Sequence, residues 1–420
     1  MTDTEKVLNE HKSRKGKYEI VSTVPINTRD ELSTFYTPGV AEVSRYISGD
    51  KRGVYDYTTK GNMIAIVSDG TRVLGLGNVG PEAGLPVMEG KAILFKKFGG
   101  VDAVPLCISV HDESEIIKFV TAIAPTFGAI NIEDIESPKS FRIVDALSKT
   151  LDIPVFHDDQ QGTGVVVLAA LLNSLRLAEK KKDARIVING AGSAGVGIVR
   201  LLVHAGLRNL VVLDSSGIIY RGRKENMNEF KEEIANTTNQ EARSGALEDA
   251  VTGADVLIGV SKAGAFGSGL IATMNQKPIV FAMANPDPEI GYVEARDAGA
   301  FIAATGRSDT PNQVNNLLAF PSIMRGLLDA RARRINYELL EGASKAIAKL
   351  AGKELSREKI LPDVLDKKAA IKVATSVSVA VSEAAVRTGV AAIQKDPKEI
   401  RKQVAERINR YWRVERKILR

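Results

Sequence analysis

The chain has one cysteine, Cys107, in 420 residues. That excludes an internal disulfide framework and fits a reducing compartment, so a cytoplasmic location is expected. Cys107 stands in the apolar run Val104 to Val110, where a buried structural thiol is expected rather than a nucleophile. No uninterrupted run of about 18 apolar residues occurs, so no membrane partner is expected. Met1 to Lys17 is polar and charged, without the apolar centre of a secretory signal. Internal repeats and low-complexity linkers are also missing. A broad cationic surface is lacking too, although the formal net charge is +6. Residues 397–420 hold nine Lys/Arg against three Asp/Glu, a surplus equal to that of the whole chain. The rest is neutral overall, so a nucleic-acid partner is not expected. Within that tail Ile400, Val404, Ile408, Tyr411 and Ile418 recur at helical spacing. They predict a terminal amphipathic helix packed on the body or on a second subunit.

What is present is alternation. Apolar strands are predicted at Asn62 to Ser68, Ala103 to Ser109, Ala129 to Ile132 and Pro154 to Phe156. Helices are predicted between them at Gly90 to Phe98, Glu113 to Ala124 and Ser140 to Thr150. Such alternation implies an α/β layer with a mainly parallel sheet. A long apolar helix, Gly162 to Ala178, then leads to a second series. Its strands are expected at Arg185 to Asn189, Leu210 to Leu213, Val256 to Gly259, Ile279 to Met283 and Phe301 to Ala304. Its helices are expected at Ala194 to Ala205, Met227 to Ala235 and Val314 to Arg331. From Tyr337 the chain is helical again. The fold class is therefore α/β with two domains, the second Rossmann-like with extra C-terminal helices. The boundaries are set at 1–160, 161–390 and a basic helical tail at 391–420.

The loop Gly190-Ala191-Gly192-Ser193-Ala194-Gly195 follows a strand and opens a helix. In that context the first glycine permits the turn, the second lets the backbone approach a pyrophosphate, and the third allows helix–strand contact. The helix N-terminus offers free N–H groups to phosphate, at Ser193 and Ala194 among others. Asp214 ends the next strand, 24 residues after Gly190, where a carboxylate can bond the adenosine ribose. Its charge repels a 2′-phosphate, while Arg221, Arg223 and Lys224 offset that repulsion. The balance leans slightly to NAD over NADP. Ser261 and Asn285 follow later strand ends, which face the ligand in open α/β sheets.

Two carboxylate pairs, Glu133-Asp134 and Asp158-Asp159, lie 25 residues apart. Four such groups cannot all remain ionised together without a cation or a proton. An all-oxygen donor set suits a hard divalent ion, Mg²⁺ or Mn²⁺. Arg72 heads a glycine-rich loop running to Gly80, and arginine suits bidentate grip of a carboxylate. Lys91 is placed near a helix N-terminus, where dipole and burial would lower its pKa toward that of a base. Tyr36 precedes the turn Thr37-Pro38-Gly39.

In this order and spacing, Tyr36 to Ala41, Arg72 to Gly80, Gly84 to Lys91, Glu133-Asp134, Phe156 to Thr163 and the Gly190 loop resemble the malic enzyme family. The resemblance spans about Phe35 to Asn316 and is similar to the compact form of bacteria and archaea. It implies an N-terminal substrate and metal domain, an NAD- or NADP-binding second domain, and at least a homodimer. It implies NAD(P)-dependent oxidative decarboxylation of malate, with decarboxylation of oxaloacetate as a companion activity. Carried over by position, Glu133, Asp134 and Asp159 would hold the metal. Lys91 would be the general base, and Asp158 would hold or tune it. Tyr36 would be the general acid that protonates the enolate carbon. Arg72 would bind a substrate carboxylate, with Asn285 and Asn315 or Asn316 at substrate and nicotinamide. The family's Phe-Asn-Asp-Asp stands here as Phe156-His157-Asp158-Asp159, and His157 is read as a supporting or surface residue, not a ligand. The rival reading is a hydroxy-acid dehydrogenase without decarboxylation.

Overall fold

The computed structural model describes residues 2–73 and 75–418, and the expected apolar contact of the Ile418 side chain lies outside what is described. Strands β1 (Met63–Ser68), β2 (Asp102–Cys107), β3 (Ala129–Ile132) and β4 (Val155–His157) form a wholly parallel sheet in the order β2-β1-β3-β4. A second sheet holds β5 (Ile186–Asn189), β6 (Leu210–Asp214), β7 (Gly217–Ile218), β8 (Val256–Gly259), β9 (Ile279–Ala282) and β10 (Ile302–Thr305). Its order is β10-β9-β8-β5-β6-β7, parallel except for the short, unexpected β7. Parallel strands carry helices on both faces, so they read as continuous apolar runs rather than alternating ones. The strand order reverses between β5 and β8, and a ligand crevice opens at the carboxyl ends beside such a switch point.

The helix Thr163–Ala178 joins the two layers. Val165 to Leu171 are fully buried in a core that includes Ile64 and Phe95 on one side and Ile186 and Ile258 on the other. Two helical stretches, Asp158–Ala178 and Lys367–Arg387, are long and apolar enough to cross a bilayer by composition, yet most of their residues are buried inside the protein. Glycines let the joining helix sit close to its neighbour, Ser193–His204. A Cβ on Gly197 would lie 2.1 Å from the Gln160 carbonyl oxygen, and one on Gly164 would lie 3.0 Å from that of Gly197.

Of the C-terminal helices, Lys367–Arg387 is central and packs against Phe320–Asp329, Tyr337–Leu350 and Pro397–Ile418. Ile400, Val404 and Ile408 of the last are buried against Ala374 and Val379, as its spacing predicts. Lys97 anchors its far end by a 2.8 Å bond to Glu415 and by lying over the Trp412 ring. Arg325, 1% exposed, pairs with Asp329 beneath this bundle and also bonds Asn62.

The N-terminal helices Asp3–Arg14, Arg29–Phe35 and Val40–Gly49 bury none of their residues. Leu8, Ile20, Val21, Leu32 and Phe35 of this arm are exposed.

Two helices differ from expectation. The one carrying Lys91 runs from Gly80 to Leu94 and continues as a wide turn, Phe95–Gly99. Lys91 therefore sits in its last turn, not its first, and the dipole there favours a cation. The helix expected from Val314 begins only at Phe320. Asn315 caps a tight turn at Asn316–Leu318 by accepting from the Leu317 N–H, and Pro321 opens the helix proper.

Candidate active site

Strand ends assemble the site. The β3 strand delivers Glu133 and Asp134, and β4 delivers Asp158 and Asp159. Because β3 and β4 pair in register, Ile132 opposite His157, the two acidic pairs emerge side by side. Asp134 takes a left-handed backbone (φ 51°), and its N–H donates to Asp159 Oδ2 at 3.3 Å. Carboxylate oxygens of Glu133, Asp134 and Asp159 lie within 4.8 Å of one another.

Electrostatics here are those of crowded, buried carboxylates, which could hold a cation. Burial, then its neighbours Asp159 and Glu133, pushes the Asp134 carboxyl up to about 9. Burial likewise raises Glu133 and Asp159, against the opposing charge of Lys91, with Asp159 adding to the rise at Glu133 and Asp158 to that at Asp159. Three hard oxygen donors with no sulfur or imidazole fit Mg²⁺ or Mn²⁺.

Lys91 Nζ reaches into the same cluster, 2.5 Å from Asp158 Oδ2 and 2.8 Å from Glu133 Oε1. It also lies 4.3 Å from the centre of the Phe320 ring. Burial alone would lower its pKa, but Asp158 and Glu133 outweigh burial and hold the ammonium well above the ordinary lysine value. This corrects the expectation of a lowered lysine, whose premises were a helix N-terminus and burial. Asp158 is wholly buried and is pushed up to about 7, chiefly by burial. Its Oδ2 also accepts from Asn316 Nδ2 at 2.5 Å, and its Oδ1 is buried without a partner.

His157 is fully buried rather than on the surface. Its Nδ1 accepts from the Gln160 N–H at 3.2 Å, and burial lowers it to about 4, so it caps the acidic turn as a neutral ring. Asn131, Phe320 and Glu289 were not singled out from sequence. Asn131 Nδ2 donates to Glu133 Oε2 at 2.7 Å, and its polarity inside the apolar β3 run was the available signal. Glu289, fully buried, accepts from the N–H groups of Ser261 (2.8 Å) and Ala284 (2.9 Å). It thereby ties together the two loops carrying Ser261 and Asn285.

The glycine loop leaves β5 at the switch point. Gly190 has φ +130°, and a Cβ there would lie 2.5 Å from the Val260 carbonyl oxygen. A Cβ on Gly195 would lie 2.0 Å from that of Gly190, whereas Gly192 faces open space. These are the turn, packing and approach positions of a pyrophosphate loop. Ser193 opens the following helix, with Ala194 next in line. Asn189 Nδ2 donates to Ser261 Oγ at 3.3 Å across the crevice.

Other expected residues lie around the rim. The Arg72 N–H donates to the Asp134 carbonyl at 3.0 Å, and its exposed guanidinium is close enough to help hold Asp159 ionised. The Arg72–Gly80 loop meets the other domain, since a Cβ on Gly75 would lie 2.8 Å from the Asn285 carbonyl oxygen. Asn285 is exposed and Asn315 Nδ2 reaches the Gly306 carbonyl at 3.5 Å. Tyr36 is not brought to the cluster. It is 64% exposed, and its phenol makes no hydrogen bond among the described residues. Cys107 is half-buried, and burial raises its thiol to about 11, which leaves it inert as a nucleophile.

Fold and site together define a two-domain dinucleotide-binding protein with a carboxylate cluster, able to hold a cation, at the strand ends of its first sheet. Residues 15–148 match the family model for the malic enzyme N-terminal domain, and residues 160–386 match that for the malic enzyme NAD-binding domain. The chain belongs to the malic enzyme family. It is 51% identical to the bifunctional malic/malolactic enzyme of Bacillus subtilis (strain 168), over 95% of this chain and 97% of that one. It is 50% identical to the NAD-dependent malic enzyme of Geobacillus stearothermophilus, over 90% and 78% respectively. The crystal structure of malic enzyme from Pyrococcus horikoshii superposes with a TM-score of 0.95 at 45% identity, covering 99% of this chain and 98% of that one.

Proposed function

We propose that the protein oxidatively decarboxylates L-malate to pyruvate and CO₂ with reduction of NAD⁺ or NADP⁺. One observation carries this reading. The Lys91 ammonium is bonded between Asp158 and Glu133, within a three-carboxylate cation site and beside a dinucleotide switch point. When bound, nicotinamide takes up hydride and a divalent cation draws electron density from the substrate's oxygens.

The chain's own residues supply the proton chemistry. Glu133 and Asp158 keep Lys91 charged. Lys91 can act as a base once it has passed a proton to Asp158, its partner at 2.5 Å, whose carboxyl is raised chiefly by burial. Lys91 then accepts the proton of the malate 2-hydroxyl as hydride leaves C2. The bond to the departing carboxylate breaks, and the enolate takes a proton at carbon from Tyr36. Arg72 holds a substrate carboxylate at the rim, and Asn285, Asn315 and Asn316 orient substrate and nicotinamide. Oxaloacetate enters the same sequence at the decarboxylation step.

We further propose at least a homodimer. A second copy would cover the exposed apolar arm and enclose Tyr36 over an active site. Residues 1–160, 161–390 and 391–420 are retained as the units of this reading. The half-buried, unpaired Cys107 suits a cytoplasmic setting.

The test is malate-dependent reduction of each nicotinamide cofactor with and without Mn²⁺, trapping CO₂ in parallel. Metal-dependent reduction with stoichiometric CO₂ and pyruvate is expected. Reduction without CO₂ would move the assignment to a plain hydroxy-acid dehydrogenase.

A further inference from the structure

Asp214 ends β6, where a ribose-binding carboxylate is expected, yet its acceptor capacity is already taken. Oδ1 accepts from the Ser216 N–H (2.9 Å) and Arg223 Nη1 (2.8 Å). Oδ2 accepts from Arg223 Nη2 (2.5 Å) and Asn226 Nδ2 (3.2 Å), and Lys231 Nζ lies 2.7 Å away. Five donors thus crowd a group with about four lone-pair sites, and no acceptor remains for ribose hydroxyls. Both side chains of the Arg223–Asp214 pair are almost fully buried. Burial would raise the Asp214 carboxyl, but bonds from Arg223 and Lys231 outweigh it and hold it below its ordinary value.

Charge around this strand end is positive. The segment from Asp214 to Lys231 carries Arg221, Arg223, Lys224 and Lys231 against Asp214, Glu225 and Glu229. Glu229 is engaged by Arg142 at 2.7 Å, and Glu225 accepts from Ser216 Oγ at 3.3 Å. Arg221 and Lys224 are exposed and form no ion pair among the described residues. Lys231 donates to the Asn226 carbonyl at 2.7 Å, which leaves part of its ammonium unused. Two serine hydroxyls, Ser215 and Ser216, complete the turn. A neutral ribose 2′-hydroxyl finds little here, whereas a dianion finds cations and hydroxyl donors.

We propose that Asp214 is a positioning residue that fixes Arg223 and Lys231, and that the pocket is built for a 2′-phosphorylated dinucleotide, the NADP class. On this proposal the slight lean to NAD, weighed from Asp214 against Arg221, Arg223 and Lys224, is reversed. The inference rests on the dinucleotide reading of the Gly190 loop.

Calorimetric titration of the full-length protein with 2′,5′-ADP and with 5′-ADP tests both. Wild type should bind 2′,5′-ADP about tenfold tighter, the worth of one charge-assisted hydrogen bond. Lys231→Met should collapse that ratio, and Lys231→Arg should keep it. Loss of stability alone would weaken both ligands without moving the ratio. Equal or tighter binding of 5′-ADP, or a ratio unmoved by Lys231→Met, overturns the inference. Binding of neither ligand means that the dinucleotide reading itself has failed.

Discussion

At the scale of single residues the site is governed by burial acting on charge. Lys91 is the central case, since its partners Asp158 and Glu133 fix both its position and its protonation. Lys91→Ala should lower the turnover of malate by roughly 10²–10⁴ while leaving the calorimetric affinity for dinucleotide unchanged. Near-normal turnover would remove Lys91 from the mechanism. The carboxyls give a pH signature. Asp134, raised to about 9, holds a proton that the unfolded chain would shed near pH 4. The metal-free fold therefore binds more protons than the unfolded chain across that window, and its stability falls as pH rises. In EDTA, Tm should decline from pH 6 toward pH 9, and added Mn²⁺ should restore it most at the alkaline end. A metal-free Tm that climbs over this range would contradict the assigned field. Remote from the site, Asp329→Ala strands the buried Arg325 and should cost roughly 3–5 kcal/mol in denaturant unfolding.

At the scale of elements, strands were legible and some helices were not. The apolar runs that became β1, β3, β5, β6, β8 and β9 stand within a residue or two of where the sequence places them, because both faces of a parallel strand are buried. The helix Gly80–Leu94 was read ten residues short. Gly80, Pro81, Gly84, Pro86 and Gly90 all read as breakers. Proline is tolerated in a first turn, and Gly84 is where the helix rests against Gly70 and Val73. That misreading put Lys91 in a first turn, while the carboxylates that hold it charged, Asp158 and Glu133, come from strand ends that only the fold brings to it. The acidic pairs and the glycine loop were visible because their chemistry is local in sequence. Phe320, Glu289 and the Arg223–Asp214 pair were not, since each acts through a partner that only the fold supplies.

At the scale of the whole molecule, two sheets share one continuous core while residues 2–57 stay outside it. A protein that leaves Leu8, Ile20, Val21, Leu32 and Phe35 in water is expected to cover them by association. Sedimentation of the intact chain should show a dimer or larger. Deleting residues 1–57 should give a folded monomer, judged by circular dichroism, that still binds dinucleotide but has lost malate turnover. A monomeric intact protein would leave Tyr36 without an enclosed site.

The glycine seam between Gln160, Gly164 and Gly197 has a thermodynamic consequence. Asp158 and Asp159 lie at one end of the joining helix, and that helix fits closely against the helix Ser193–His204, which the proposed function places at the pyrophosphate. Occupancy of the carboxylate centre and occupancy of the dinucleotide crevice should therefore be reciprocally linked, each ligand tightening the other by the same factor. Gly197→Ala, by wedging the seam apart, should bring the dinucleotide affinities measured with and without Mn²⁺ together. The close approach that Gly164 and Gly197 permit would then let one ligand report its presence to the other.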